Sequence, residues 1–107
     1  MFEVLRYVNE AGVDVLGRWL SNLRDERAKA KINVRINRLA AENFGDCKPV
    51  GRGVMELRID YGPGYRVYFA KVGPAMILLL CGGDKRRQQK DIEQAIDSVE
   101  SYQRRTS

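Results

Sequence analysis

Residues 54–60, VMELRID, alternate strictly: Met55, Leu57 and Ile59 point one way, and Glu56, Arg58 and Asp60 the other. Tyr61-Gly62-Pro63-Gly64 reads as a turn, and residues 65–71 return as a second strand. The pattern fixes the pairing as well as the strands. With Leu57 opposite Val67, Arg58 meets Arg66, Glu56 meets Tyr68, and Leu57, Ile59, Tyr65 and Val67 share the other face. Slipping by one residue would bury arginines. A chain built around this hairpin needs a further strand and helices to cover its apolar face. Residues 75–81, AMILLLC, are apolar throughout, as befits a strand covered on both sides.

The remaining elements follow from spacing. Residues 2–8 read as a first strand, and Asp14 is placed to cap a helix carrying Val13, Leu16, Leu20 and Leu23. A second helix is expected from about residue 27 to 43, with Ile32, Ile36, Leu39 and Ala40 as its apolar stripe. Gly82-Gly83 reads as a turn into a last amphipathic helix over about 87–103, carrying Ile92, Ala95, Ile96, Val99 and Tyr102. The order β-α-α-β-β-β-α predicts one α+β domain over residues 1–107, its small, mainly antiparallel sheet packed against helices.

What the chain lacks narrows its chemistry. It has no histidine, and Cys47 and Cys81 stand far apart, so neither a zinc cluster nor histidine-based acid–base catalysis is expected. The acids are scattered, no magnesium or calcium cluster is expected, and no cofactor motif is present. The longest apolar run is seven residues where a span needs about 20, and the first residues build no secretory block. A cytoplasmic protein without a membrane partner is the expectation. Nineteen Lys and Arg against fourteen Asp and Glu leave +5, spread along the chain rather than gathered in a tail. Any positive patch must therefore be assembled by folding.

The hairpin is the richest candidate for such a patch. Arg58 and Arg66 side by side are unfavourable unless something negative lies between them. Glu56 or Asp60 fits that role, and so does a bound phosphate, whose oxygens suit arginine's fork of donors. Two solvated arginines are the plain alternative. Lys85, Arg86 and Arg87 follow the Gly82-Gly83-Asp84 segment, where a helix start favours anions. GGDK lacks the ending and spacing of a phosphate-binding P-loop. Arg35 and Arg38, with Lys31, form a basic stripe beside the apolar one on the second helix, and Lys48 and Arg52 precede the hairpin. Each of these is a candidate contact to a nucleic-acid backbone, RNA included, or to an acidic partner, or simply a solvated charge. Tyr68 shares the parity of the arginines, which would let it stack on a base.

The combination of ELRIDYGPGYRVYF (56–69), LLLCGGDKRRQQKDI (78–92) and the preceding RINRLAAENFGDCKPVGRGV (35–54) strongly resembles the RelE-like toxins of bacterial toxin–antitoxin modules. The branch it is most similar to is the HigB-like, phage-type addiction module killer group. The resemblance implies a type II toxin that enters the ribosomal A site and cuts mRNA without a metal. In that reaction the RNA's 2′-OH attacks the adjacent phosphate, leaving a cyclic phosphate and a free 5′-OH. It further implies that Arg58 and Arg66 stabilise the phosphorane and that Lys85 stabilises it or donates a proton, with Glu56 and then Asp91 as candidates for the base. The chain departs from the family pattern, in which many members place a tyrosine or a histidine as acid or base: it has no histidine, the helix after GGDK offers Gln88, Gln89, Lys90 and Asp91 instead, and Glu56 stands where some members carry a basic residue. The partners implied are a cognate antitoxin, often a helix-turn-helix protein, together with the ribosome and mRNA. A ParE-like gyrase inhibitor and a non-catalytic RNA- or protein-binding domain are the alternatives. Arg66→Ala is expected to abolish cleavage and leave the fold intact.

Overall fold

The computed structural model describes residues 1–106. Asp14 caps the first helix by accepting from the Gly17 amide at 3.0 Å, and Asp25 caps the second by accepting from Ala28 at 3.1 Å. The chain runs β1 (Glu3–Arg6), α1 (Val15–Asn22), α2 (Glu26–Leu39), β2 (Cys47–Gly51), β3 (Val54–Ile59), β4 (Tyr65–Val72), β5 (Met76–Asp84), a short 3-10 turn (Lys85–Arg87) and α3 (Gln88–Thr106). The strands form one sheet in the order β1-β5-β4-β3-β2, antiparallel except for the parallel pair β1–β5. This is an α+β fold, with helices on both faces of the sheet.

One face is covered by α1 and α2. Leu16 and Leu20 from α1, and Ala28, Ile32, Ile36 and Leu39 from α2, pack with Leu57, Ile59, Tyr65, Val67 and Phe69 of the hairpin. The other face is covered by α3, whose Ala95 and Val99 bury Tyr68, Ala70, Leu78 and Leu80. The hairpin register is the one the alternation dictates: Leu57 faces Val67, Arg58 faces Arg66 and Glu56 faces Tyr68.

Three features differ from the sequence reading. First, α2 ends at Leu39 rather than near residue 43. The chain turns there, Glu42 taking φ 63°, so that Phe44 reaches the core between Phe2 and Phe69. Second, Cys47–Gly51 is a fifth strand. Its Gly and Pro residues hide it in the sequence, and Pro49 is tolerated because β2 is an edge strand that bulges between Pro49 and Gly51. Third, Gly82 and Gly83 are not a turn but belong to β5, opposite Val67 and Arg66. They are needed for close approach. A Cβ on Gly82 would lie 2.5 Å from the Trp19 ring, and one on Gly83 would overlap the Asp91 carboxylate. No helix among the described residues is long and apolar enough to cross a membrane.

Candidate phosphate-binding cleft

Because β5 continues through Gly82 and Gly83, it ends at Asp84, opposite Tyr65, and hands Lys85 to the mouth of the hairpin. A cleft of about 430 Å³ opens there, lined by Asp46, Arg58, Asp60, Arg66 and Lys85, with Ile59 and the glycines and proline of the turn. Its three cations come from three elements that the topology brings to one end of the sheet.

Each cation is held differently. Arg58 donates from Nη2 to Asp46 at 3.2 Å, and its backbone amide bonds the Asp46 carbonyl at 2.9 Å. Arg66 donates from Nη1 to the Gly64 carbonyl at 3.1 Å, and its Nε faces Glu56 at 3.7 Å. Its side chain is only 11% exposed. Lys85 is exposed and has no side-chain partner among the described residues. A guanidinium has five N–H donors, and each arginine spends one on a hydrogen bond to the protein. The cleft therefore retains donors for an anion beside one free ammonium.

The acids differ from the expected pair. Glu56, the first candidate base, has a fully buried side chain; it accepts from Tyr68 Oη at 3.1 Å and Gln88 Nε2 at 2.7 Å and does not line the cleft. Asp91, the second candidate, lies under β5 against Gly83 with Arg87 Nε at 4.0 Å, and it also stays outside the cleft. Burial holds its carboxyl above the usual range, with Arg87 opposing. The carboxylates that do line the cleft are Asp46 and Asp60. Asp60 has no side-chain partner among the described residues. Asp46 arrives through the pairing of β2 with β3, and no sequence motif marks it.

Two candidate RNA contacts, Tyr68 and Arg35, are corrected by the same geometry. Tyr68 has the parity expected of it, but α3 covers that part of the face and leaves its side chain fully buried, so it cannot stack on a base. Its hydroxyl is held far above its ordinary range, first by burial and then by the charge of Glu56, and it stays a donor. Arg35 is a clamp rather than a surface contact, donating to the carbonyls of Arg58 at 2.7 Å, Phe44 at 3.1 Å and Asp46 at 3.2 Å. Arg35→Ala should therefore leave three carbonyls short of a donor and cost about 2–3 kcal/mol. Thermal melting would read this as a drop of roughly 10 °C; an unchanged midpoint would contradict the clamp. Arg52 sits in the β2–β3 turn at 3.4 Å from Glu100. Arg38 and Lys48 are exposed outside the cleft. Arg86 and Arg87 flank Lys85 without lining the cleft, Arg86 being bonded to Asp84 at 3.0 Å. That bond is the main reason the Asp84 carboxyl is held below its usual value.

Among the described residues no group of His, Cys, Asp and Glu could hold a metal ion. Cys81 is buried, its thiol pushed up to about 12 by burial first and Asp91 second, which leaves it a small apolar side chain.

No family model matches the chain. An uncharacterized protein of Haemophilus influenzae (strain ATCC 51907 / DSM 11121 / KW20 / Rd) is 60% identical to it over 77 residues, covering 72% of this chain and 78% of that protein. The chain belongs to one family with that protein.

Proposed function

We propose, for this chain as a member of that family, a metal-independent endoribonuclease that cuts mRNA on the ribosome: the toxin of a toxin–antitoxin pair. The observation that carries the reading is the convergence of Arg58, Arg66 and Lys85 on one cleft. Three cations lining one cleft suit a phosphate whose charge rises as an attacking oxygen adds to it.

In the proposed reaction the 2′-oxygen bonds to phosphorus and the P–O5′ bond breaks. The 2′-OH proton leaves to a base, and the departing 5′-oxygen gains one. Guanidinium does not give up its proton, so Arg58 and Arg66 act as stabilisers, and Lys85 is the only one of the three cations able to pass a proton. Asp60, the unpaired carboxylate of the cleft, is the proposed acceptor. The lining contains no aromatic side chain, so the cleft holds single-stranded RNA by its phosphate and without base stacking. Presentation of the RNA by a larger assembly, the ribosome, fits that deficit. A cognate antitoxin would silence the protein by covering the cleft or competing for its cations, and salt should weaken such a contact.

The test is the chemistry of the cut ends. Purified protein added to translating ribosomes should produce RNA fragments ending in a 2′,3′-cyclic phosphate and beginning with a 5′-hydroxyl. Fragments with a 3′-hydroxyl and a 5′-phosphate would contradict 2′-OH attack, and growth arrest without fragments would point to another target, such as gyrase.

A further inference from the structure

We infer that Glu56 is a positioning residue: a buried carboxylate that holds the Arg66 guanidinium toward the cleft and locks that orientation to the start of α3. The inference rests on the reading of the cleft as a phosphate site. Glu56 stands on β3 with its side chain fully buried, and a buried pair such as Glu56 with Arg66 could be replaced whole by apolar side chains at little loss of stability. Its Oε2 gathers groups from two neighbouring elements: the Tyr68 hydroxyl and Arg66 Nε from β4, and the Gln88 amide from the first residue of α3. Gln88 follows directly on the 3-10 turn that carries Lys85. One carboxylate thus ties the strand bearing Arg66 to the helix that directly follows the turn bearing Lys85.

The contact with Arg66 is ionic at 3.7 Å and falls short of a hydrogen bond, and Glu56 Oε1 and Arg66 Nε are both buried without a hydrogen-bond partner. Arg66 is otherwise anchored by a single bond to the Gly64 carbonyl. Without the carboxylate, the polar anchoring of the guanidinium would fall to the Gly64 bond alone. Phosphate binding would then have to pay for ordering a long side chain that is now ordered in advance.

Positioning and plain electrostatics predict opposite results. Glu56→Gln keeps the shape and removes a negative charge near the cleft, so charge alone should tighten anion binding. The positioning role requires it to weaken. The probe is a short RNA with a 2′-deoxy sugar at the cut position, which cannot be cleaved, titrated into wild type and Glu56→Gln. The Arg66 Nε–H signal is followed by NMR. We expect wild type to bind and to show a sharp Arg66 signal protected from exchange. Glu56→Gln should fold, bind about tenfold more weakly and lose that protection. Equal or tighter binding by a folded Glu56→Gln would overturn the inference. Should that variant fail to fold, Gln88→Ala decides instead: loss of Arg66 protection supports positioning, and an unchanged signal overturns it. If wild type binds no RNA, the reading of the cleft fails, and the Arg66 signal in Glu56→Gln alone judges whether Glu56 holds the arginine.

Discussion

Arg66→Lys should lower mRNA cleavage at least 100-fold while leaving the protein folded. Lysine keeps a positive charge beside buried Glu56 but loses the planar fork that can grip two phosphate oxygens at once. Removing one such donor from a preorganised site lowers rates by about 10²–10³-fold. Alanine is the poorer choice, contrary to what the sequence alone suggests. Arg66→Ala leaves Glu56 buried with no cation opposite, and breaking a buried pair from one side costs about 3–5 kcal/mol. Its loss of activity would then be mixed with loss of fold. Single-turnover cleavage on translating ribosomes, set beside a thermal melt, separates the two. Cleavage within a few fold of wild type in a folded Arg66→Lys would remove Arg66 from the site.

A large stability effect is also expected at Gly83. A methyl group there would overlap the Asp91 carboxylate of α3, and the backbone around it is fixed by pairing with Arg66 on β4. Overpacking of this kind costs about 3 kcal/mol, roughly 15 °C in melting temperature for a chain of this size. The clash has one named partner, so the double variant Gly83→Ala/Asp91→Ala should recover part of the loss, whereas independent sites would simply add. Asp91 also contributes a pH dependence. Its carboxyl is raised by burial, so the folded state holds the proton more tightly than the unfolded chain. The stability this gives is full below the unfolded value near 3.9 and declines as pH rises through the folded value. A Gly83→Ala protein that melts with wild type would show that β5 and α3 do not approach as closely as described.

The hairpin was legible because its chemistry is two-faced: Leu57 and Ile59 against Glu56 and Arg58 allow one register, and that register sets Arg58 opposite Arg66. Parity assigns a face, however, and says nothing of what covers it. Glu56 and Tyr68 share the face of the arginines yet lie buried, because α3 starts with Gln88 above them. The same limit hid Asp46 and Arg35. Asp46 reaches the cleft through an edge strand whose Gly and Pro residues show no alternation, and Arg35 turns from its helix to three backbone carbonyls. Gly82 and Gly83 misled differently. Glycine serves a turn or a close approach equally well, and here Trp19 and Asp91 supply the approach.

The most direct test of the cleft as a ribonuclease site is mapping of mRNA 5′ ends after brief induction in bacteria, with Lys85→Ala as the control. Lys85 is exposed and has no side-chain partner among the described residues, so its removal leaves the fold undisturbed. The expected result is cuts inside translated codons that vanish when translation is blocked and fall at least 100-fold in Lys85→Ala. Cuts that persist in Lys85→Ala, or growth arrest with no cuts at all, would contradict it.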